Sequence, residues 1–329
     1  MSVYAPQRPM TAGPGRRSSP LTWRWIDRLV LALAWGAGIG LCLVGGAIVI
    51  YMGVRGIQFL RPELLFSRPA FGTTQNESGG FLDPIMGTAI LTAIGISLAL
   101  PLAVVSALWV NEYGRPTWLA RVVESTIEVV AGTPDIVFAL FGLALFQTQL
   151  FAPFSFTASG GGVFGRSFFA AGTMMSLIAL PPIFVATRDG LQSIPMHMRE
   201  AAFALGKTRI ATIRRVLIPA VRSNIATGVT LGVSRIIGDT AIVVLLLGAT
   251  LRLEPQGSVP GVNVLRGTGS TLTSYIYDNS PAGEGGAPQK AYAAAFVLLV
   301  LVLALNFTLG RIGRSSERKG SLTAAQGIV

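Results

Sequence analysis

Residues 188–239 read RDGLQSIPMHMREAAFALGKTRIATIRRVLIPAVRSNIATGVTLGVSRIIGD, and this stretch decides the fold. Its first part carries seven Arg and Lys residues against two acidic ones, whereas the rest belongs to a nearly continuous apolar run at residues 225–248. A run of that length crosses the hydrocarbon core of a bilayer, and a segment so rich in cations stays in water beside it. The stretch therefore predicts a basic loop that leads into a membrane-spanning helix.

The composition of the whole chain is that of a membrane protein. The chain has 329 residues, of which 51% are hydrophobic and 12% are charged, and its mean hydropathy is +0.60. A soluble domain carries about twice that share of charged residues. These values predict an all-α, polytopic membrane protein whose apolar helices contact membrane lipid.

The net charge of +11 does not indicate a nucleic-acid partner. The basic residues flank apolar runs, and they lack the interleaved aromatic residues on which bases stack. The single cysteine, Cys42, excludes an intrachain disulfide and a cysteine-rich zinc site. His197 has no second candidate ligand nearby, so no metal site is expected.

Six apolar stretches form the predicted transmembrane domain, residues 29–310. They lie at residues 29–52, 87–109, 122–146, 168–187, 225–248 and 291–309. A flexible basic tail is predicted at residues 1–28, a loop at residues 188–223, and a C-terminal tail at residues 311–329. Most of the 26 Lys and Arg residues fall in these three segments, so we expect the loop and both chain termini to face the cytoplasm.

The basic loop has the pattern of a short helix with a defined end. MREAAFAL places two alanines beside an acidic residue, and a glycine cap, a second basic helix and a proline follow. The residues of this pattern are Glu200, Ala201, Ala202, Gly206 and Pro219. A loop that only sets the membrane orientation does not need this sequence of helix, glycine, helix and proline. We therefore favour the interpretation that the short helix fits a groove on a partner protein. The Gly-Lys-Thr beside it lacks the upstream glycine of a nucleotide-binding loop.

Residues 199–219, REAAFALGKTRIATIRRVLIP, resemble the EAA motif of ATP-binding-cassette importer permeases. Further segments are similar to phosphate-specific permeases, and their order resembles the PstA type; these segments are GGFLDPIMGTAILTAIGISLALPLAVVSALWVNEYG, AGTPDIVFALFGL, SRIIGDTA and AYAAAFVLLVLVLALN. The resemblance extends over residues 79–311 and implies the six-helix architecture of type I importers. It also implies that the five residues of the EAA pattern dock on an ATPase subunit.

The same resemblance implies the partners of the chain. They are a PstC-type permease subunit, a dimer of PstB-type ATPase subunits on the cytoplasmic side, and an external PstS-type phosphate-binding protein. ATP and Mg²⁺ are then held by the ATPase subunits, so the chain binds no cofactor and is not an enzyme. The complex is expected in the bacterial inner membrane, where it imports inorganic phosphate.

Arg235 and Asp239 are charged residues within an apolar run. A charge near the bilayer centre costs about 2.5 to 3.5 kcal/mol on insertion scales, so such residues face a cavity or a partner. Their spacing of four predicts that they share one helical face and can pair, which leaves a purely structural ion pair open. In the functional alternative, Arg235 binds phosphate oxygens with its fork of donors, and Asp239 holds that guanidinium in place when the path is empty. The adjacent Thr240 is expected in the same path. The resembling family usually has Glu in place of Asp239.

The third apolar stretch is interrupted by AGTPD, where Gly132 and Pro134 predict a bend. Asp135 follows this bend, at a position where the resembling family usually carries serine. Its carboxylate is expected near the solute path, either protonated or paired with Arg235 of a facing helix. Arg188 and Asp189 lie in a segment, TRDGLQSIP, where the resembling family tends to carry two acidic residues, so no role is transferred to them.

Several alternatives remain open from sequence. A permease of the same architecture could carry sulfate or molybdate, because a single arginine does not choose among tetrahedral anions, and the chain could be the PstC-type partner subunit. A secondary transporter is a different class, but the EAA-like loop argues against it, since such a transporter has no ATPase to contact. An intramembrane enzyme lacks support because no metal cluster and no nucleophile with a histidine base is evident.

Overall fold

The computed structural model describes residues 25–69, 79–114, 116–158, 161–248, 252–256, 262–281, 283 and 286–326, with side chains in the last segment up to Arg311. Most of the predicted tail at residues 1–28 lies outside the described residues. Across the described part the chain is helical, and its extended contacts are three isolated β-bridges. The prediction of an all-α fold is therefore confirmed.

The longer helices are α1 Trp25–Phe59, α3 Leu82–Leu108, α4 Thr117–Gly132, α5 Asp135–Phe146, α6 Phe168–Ser193, α10 Arg222–Gly238 and α14 Pro288–Gln326. The shorter ones are α2 Pro62–Phe66, α7 Met196–Ala204, α8 Arg209–Thr212, α9 Ile218–Ala220, α11 Ala241–Leu246, α12 Val262–Arg266 and α13 Leu272–Asn279. A π-helical turn, Trp109–Tyr113, extends α3, and another, Ile213–Leu217, joins α8 to α9. A 3-10 helix spans Gln149–Phe154.

Four of the described helices are long and apolar enough to cross a membrane. They are Trp25–Phe59, Leu82–Tyr113, Phe168–Ser193 and Pro288–Arg311. Two further candidates are bent pairs, α4 with α5 at 103° and Arg209–Ala220 with α10 at 67°. The described chain thus offers four spans, or six if each bent pair counts as one, and this agrees with a polytopic membrane protein.

Two of the predicted apolar stretches are broken helices. The break in the third stretch was predicted: α4 ends at Gly132, and α5 begins at Asp135 after an extended Thr133 and Pro134. The break in the fifth stretch was not predicted, because its composition is almost uniformly apolar. There α10 ends at Gly238 and α11 begins at Ala241.

The chain divides into two compact units after Gly53. The described part of the first unit is the beginning of α1, an apolar helix with Asp27 in its first turn. The second unit contains everything from Val54 onward, including all the residues that the sequence marks as functional.

Helices α3, α6 and α10 form the core of the second unit, and glycines let them approach closely. Gly95 of α3 lies against Ile236 of α10, and Gly228 of α10 lies against the backbone of Ile183 in α6. Small residues at crossing points bring helix backbones together, which is how membrane helices gain packing contacts. This packing holds α10, and therefore Arg235, in a defined position.

The Gly- and Pro-rich stretch between the last two predicted spans is partly folded. Thr271 begins α13 with a capping box, in which its hydroxyl and that of Ser274 each bond the other residue's backbone N–H. Tyr275 of α13 is fully buried and packs on Phe81, with ring centroids 5.9 Å apart. Burial raises the pKa of the Tyr275 hydroxyl to about 12, so this residue stays neutral and acts as part of a small second core.

Candidate functional site

The short helix predicted in the basic loop is α7, and it ends as predicted. Gly206 has a φ of +71°, which is the left-handed region that favours glycine. The N–H of Lys207 donates to the carbonyl of Ala202 at 3.1 Å, and the N–H of Gly206 donates to that of Phe203 at 2.9 Å. These two bonds form a Schellman cap, which satisfies carbonyls that a helix end leaves free.

Most of α7 is exposed, and several of its exposed side chains are apolar. Glu200 and Ala201 of the EAA pattern face outward, whereas Ala202 is buried within the chain itself, so only one of the two alanines is available to a partner. Large exposed hydrophobic side chains accompany them at Met196, Met198, Phe203, Leu205 and Ile210. An apolar patch bordered by charged residues is typical of a protein-binding surface.

Arg199 is largely buried, unlike the exposed residues around it, and fixes α7 to the membrane helices. Its side chain is 13% exposed, and its Nε lies 3.1 Å from Oε1 of Glu112, which is 12% exposed. The same guanidinium donates to the carbonyls of Leu191 at 2.8 Å and Ile194 at 3.0 Å, at the end of α6. One side chain therefore joins α7 to the C-terminal ends of both α3 and α6.

Glu112 lies in the π-helical turn after α3, and other residues hold it there. Asn111 donates to its carboxylate at 2.7 Å, and Arg209 donates to its backbone carbonyl at 3.3 Å. Arg209 also lies over the ring of Tyr113, 5.6 Å from the centroid. Sequence reasoning missed Glu112 and Arg199, since nothing local relates two residues that are 87 positions apart.

Two other loop residues occupy structural positions. Pro219 is half-buried in α9, close to the 67° bend where the basic segment turns into α10. Arg188, to which no role was transferred, pairs with Glu124 of α4 at 2.9 Å, and both side chains are partly exposed. This pair ties the end of α6 to α4.

Arg235 lies in the last turn of α10, opposite the break between α4 and α5. Its Nη2 is 3.6 Å from Oδ1 of Asp135, and the two side chains are 38% and 34% exposed. The predicted pairing of Asp135 with Arg235 across facing helices is therefore present in the structure. The contact brings together two of the four residues predicted for the solute path.

The expected pair between Arg235 and Asp239 does not form, because the helix that would align them ends at Gly238. Oδ2 of Asp239 accepts a hydrogen bond from the N–H of Ile242 at 2.8 Å, so the carboxylate caps α11. Thr240, also predicted for the path, is half-buried directly after it. A Cβ at Gly238 would meet no atom within 4 Å, so the break borders open space.

Helix α13 also contacts this break. The hydroxyl of Thr273 donates to the backbone carbonyl of Asp239 at 3.1 Å. On the α10 side, the hydroxyl of Ser234 lies 3.1 Å from the amide oxygen of Asn306 in α14.

Among the described residues, no group of three or more His, Cys, Asp or Glu side chains could hold a metal ion.

Comparison with known proteins places this arrangement in a family. The family described as binding-protein-dependent transport system inner membrane component matches residues 99–319. The probable ABC transporter permease protein YqgH of Bacillus subtilis is 32% identical over 281 residues, which cover 83% of this chain and 85% of that protein.

Relatives named for phosphate transport match at similar levels. PstA 1 of Mycobacterium tuberculosis is 29% identical over 245 residues, covering 74% of this chain and 73% of that protein. PstC of Xylella fastidiosa is 27% identical over 315 residues, covering 92% of each. Both are named phosphate transport system permease proteins, and these matches do not distinguish a PstA-type from a PstC-type chain.

Solved structures share the fold. A chain of a bacterial alginate ABC transporter has a TM-score of 0.60 at 16% identity, covering 88% of this chain and 95% of that chain. A chain of the inward-facing MetNI methionine ABC transporter has a TM-score of 0.52 at 18% identity, covering 72% and 94%. At these identities the likeness concerns architecture alone.

Proposed function

This chain belongs to the family of binding-protein-dependent transport system inner membrane components, and from that premise we propose that it is a permease subunit of an ATP-driven importer of inorganic phosphate. The proposed substrate rests on the similarity, over most of the chain, to relatives named phosphate transport system permease proteins. The site supports it, because Arg235 presents a guanidinium beside open space at a helix break. Guanidinium groups bind tetrahedral oxyanions through paired donors.

The exposed face of α7 is the proposed contact with an ATPase subunit. Glu200 and Ala201 lie on that face, and Gly206 holds the helix end in the geometry that presents it. ATP and Mg²⁺ bind to those ATPase subunits, so this chain binds no cofactor and catalyses no reaction. Closure of the ATPase dimer shifts the permease between its inward and outward states by binding one of them better.

The remaining parts of the complex follow from the same proposal. A second permease subunit completes the translocation path, and an external phosphate-binding protein delivers the solute. The chain spans the bacterial inner membrane with both termini and the α7 surface in the cytoplasm, as the distribution of Lys and Arg indicates.

Uptake of labelled phosphate by membrane vesicles that contain the full complex tests this function. We expect Arg235→Gln to lower ATP-dependent uptake by about tenfold or more while the ATPase subunits stay bound, because it removes a charge-assisted contact. Glu200→Lys should release the ATPase subunits. The exposed Arg121 of α4 provides a charge-matched control, so Arg121→Gln should import normally. Wild-type vesicles that import no phosphate would refute the proposal.

A further inference from the structure

The ion pair between Arg235 and Asp135 is incomplete in a way that indicates a ligand. Its atoms are 3.6 Å apart, beyond hydrogen-bond distance, and both side chains are partly exposed. Among the described residues, the guanidinium of Arg235 donates no hydrogen bond and the carboxylate of Asp135 accepts none. The site therefore presents unused donors and unused acceptors side by side.

A second arginine in the same chain shows what a structural pair looks like. Arg199 lies 3.1 Å from Glu112 and also donates to two backbone carbonyls, and both side chains are nearly nine-tenths buried. Its hydrogen-bonding capacity is largely used within the protein. Within the part of the chain that the structure describes, Arg235 contacts one carboxylate, 3.6 Å away, so its donors are available to a solute.

The charges around Arg235 are unfavourable for an anion that cannot donate a hydrogen bond to a carboxylate. Asp135 is its ion-pair partner, and Asp239 is close enough to both residues to interact with them electrostatically. With both carboxylates ionised, the three groups carry a formal charge of −1. Any dianion gains the attraction of one arginine and meets the repulsion of two carboxylates, and an anion that can donate a hydrogen bond to one of these carboxylates offsets part of that repulsion.

We propose that Asp135 makes this site selective for oxyanions that retain a proton, such as hydrogen phosphate and hydrogen arsenate, over fully deprotonated oxyanions such as sulfate. This inference rests on the proposed function. The ionised oxygens of hydrogen phosphate accept from Arg235, and its P–OH donates to Asp135; the proton stays on the phosphate oxygen. One hydrogen bond to a charged group corresponds to a preference of roughly 10- to 100-fold.

A comparison of phosphate with monofluorophosphate separates the effect of the P–OH donor from the effects of charge and size. At mildly alkaline pH monofluorophosphate is a tetrahedral dianion like hydrogen phosphate, but it carries fluorine where phosphate carries the hydroxyl donor. Binding of both ions to the permease and ATPase complex in nanodiscs, without the external binding protein, is measured by ³¹P and ¹⁹F line broadening, which detects weak binding. Binding that is detected in the wild-type complex and lost in Arg235→Gln is assigned to this site.

In the wild-type complex we expect inorganic phosphate to bind about tenfold more tightly than monofluorophosphate. Asp135→Asn should bring the two affinities within about threefold, because both dianions gain from the loss of the repelling charge whereas only phosphate loses a hydrogen bond to a charged acceptor. Asp135→Ser keeps a hydroxyl acceptor without the charge, so its preference for phosphate should lie between that of the wild type and that of Asp135→Asn. The control is Glu128→Gln, an exposed carboxylate on α4, and it should keep the wild-type preference.

The inference is overturned if both Asp135 variants keep the wild-type preference, or if neither ion shows broadening that depends on Arg235. Melting temperatures identify any variant that fails to fold, and the other Asp135 variant then decides the outcome. Phosphate uptake by wild-type vesicles is measured on the same preparation. Uptake without the expected preference rejects this inference alone, whereas absence of uptake rejects the proposed function.

Discussion

Arg199 Nε lies 3.1 Å from Glu112 Oε1, and this contact ties the exposed helix α7 to the C-terminal end of α3. Arg199 directly precedes Glu200 of the EAA pattern, so of two adjacent residues in α7 one contacts the membrane helices and the other is exposed. Because Arg199 also binds the last carbonyls of α6, a displacement of α7 acts on two membrane helices at once. The pair thus links the proposed ATPase contact to the core that positions Arg235.

The first prediction concerns the loss of one partner from this pair. Glu112→Gln leaves the Arg199 guanidinium buried without a counter-ion, which costs about 3 to 5 kcal/mol in comparable buried pairs. We expect the variant complex to melt at a lower temperature and to hydrolyse more ATP per phosphate imported.

A matched control exists in the pair of Arg188 with Glu124, which has a similar distance of 2.9 Å but more exposed side chains. Exposed pairs contribute about 0 to 1 kcal/mol, so Glu124→Gln should change the melting temperature little. Equal melting of the Glu112 and Glu124 variants would contradict the role given to the buried pair.

The second prediction concerns the cap of α7. Gly206→Ala places a Cβ in open space, so its cost comes from the φ of +71° alone and should be about 1 kcal/mol. We expect weaker retention of ATPase subunits on purification, because the end of α7 loses its geometry. Gly310→Ala, also in open space but within helix α14, should retain the subunits as the wild type does. Normal retention in Gly206→Ala would show that the cap does not present the surface.

The third prediction separates two roles of Asp239. The structure gives its carboxylate a backbone partner, the N–H of Ile242, and asparagine can cap a helix equally well. We therefore expect Asp239→Asn to melt like the wild type and to keep at least about half of the phosphate uptake, whereas Asp239→Ala should lose about 1 kcal/mol of stability. If both variants abolish uptake and neither changes the melting temperature, the charge and not the cap is what matters.

Features set by neighbouring residues could be predicted from the sequence. Gly206 ends α7 because a left-handed residue after the Ala-rich turn needs no distant partner. Gly132 and Pro134 likewise predicted the break before α5, since proline disfavours a helical conformation in the residue before it. Arg235 was recognised because a charge in an apolar run is costly wherever the rest of the chain lies.

Features that depend on long-range contacts could not be predicted. The break after Gly238 depends on a carboxylate cap and on the hydroxyl of Thr273, which is 34 residues away. The assumption of a continuous helix made Asp239 a second candidate partner for Arg235, but the helix ends before it and Arg235 pairs with the other candidate, Asp135. Hydropathy reports how apolar a segment is, but it does not report where a side chain replaces a backbone hydrogen bond.

The last prediction concerns the contact between α6 and α10. A Cβ on Gly228 would lie 2.9 Å from the Cα of Ile183 and 3.2 Å from the carbonyl of Pro182, and neither is the end of a flexible side chain. Gly228→Ala must therefore push the two helices apart, which costs about 1 to 3 kcal/mol in a packed core. This exceeds the gain of up to about 1 kcal/mol from replacing glycine by alanine in a helix.

We expect Gly228→Ala to lower the melting temperature of the complex and to reduce phosphate uptake, because α10 carries Arg235. Gly310→Ala has the helix gain without the clash, so it should leave the melting temperature unchanged or raise it. The comparison tests the packing directly, since both variants add one methyl group to a helix of the same chain. A Gly228→Ala complex that melts no lower than the Gly310→Ala complex would mean that α6 and α10 do not approach as closely as the structure places them.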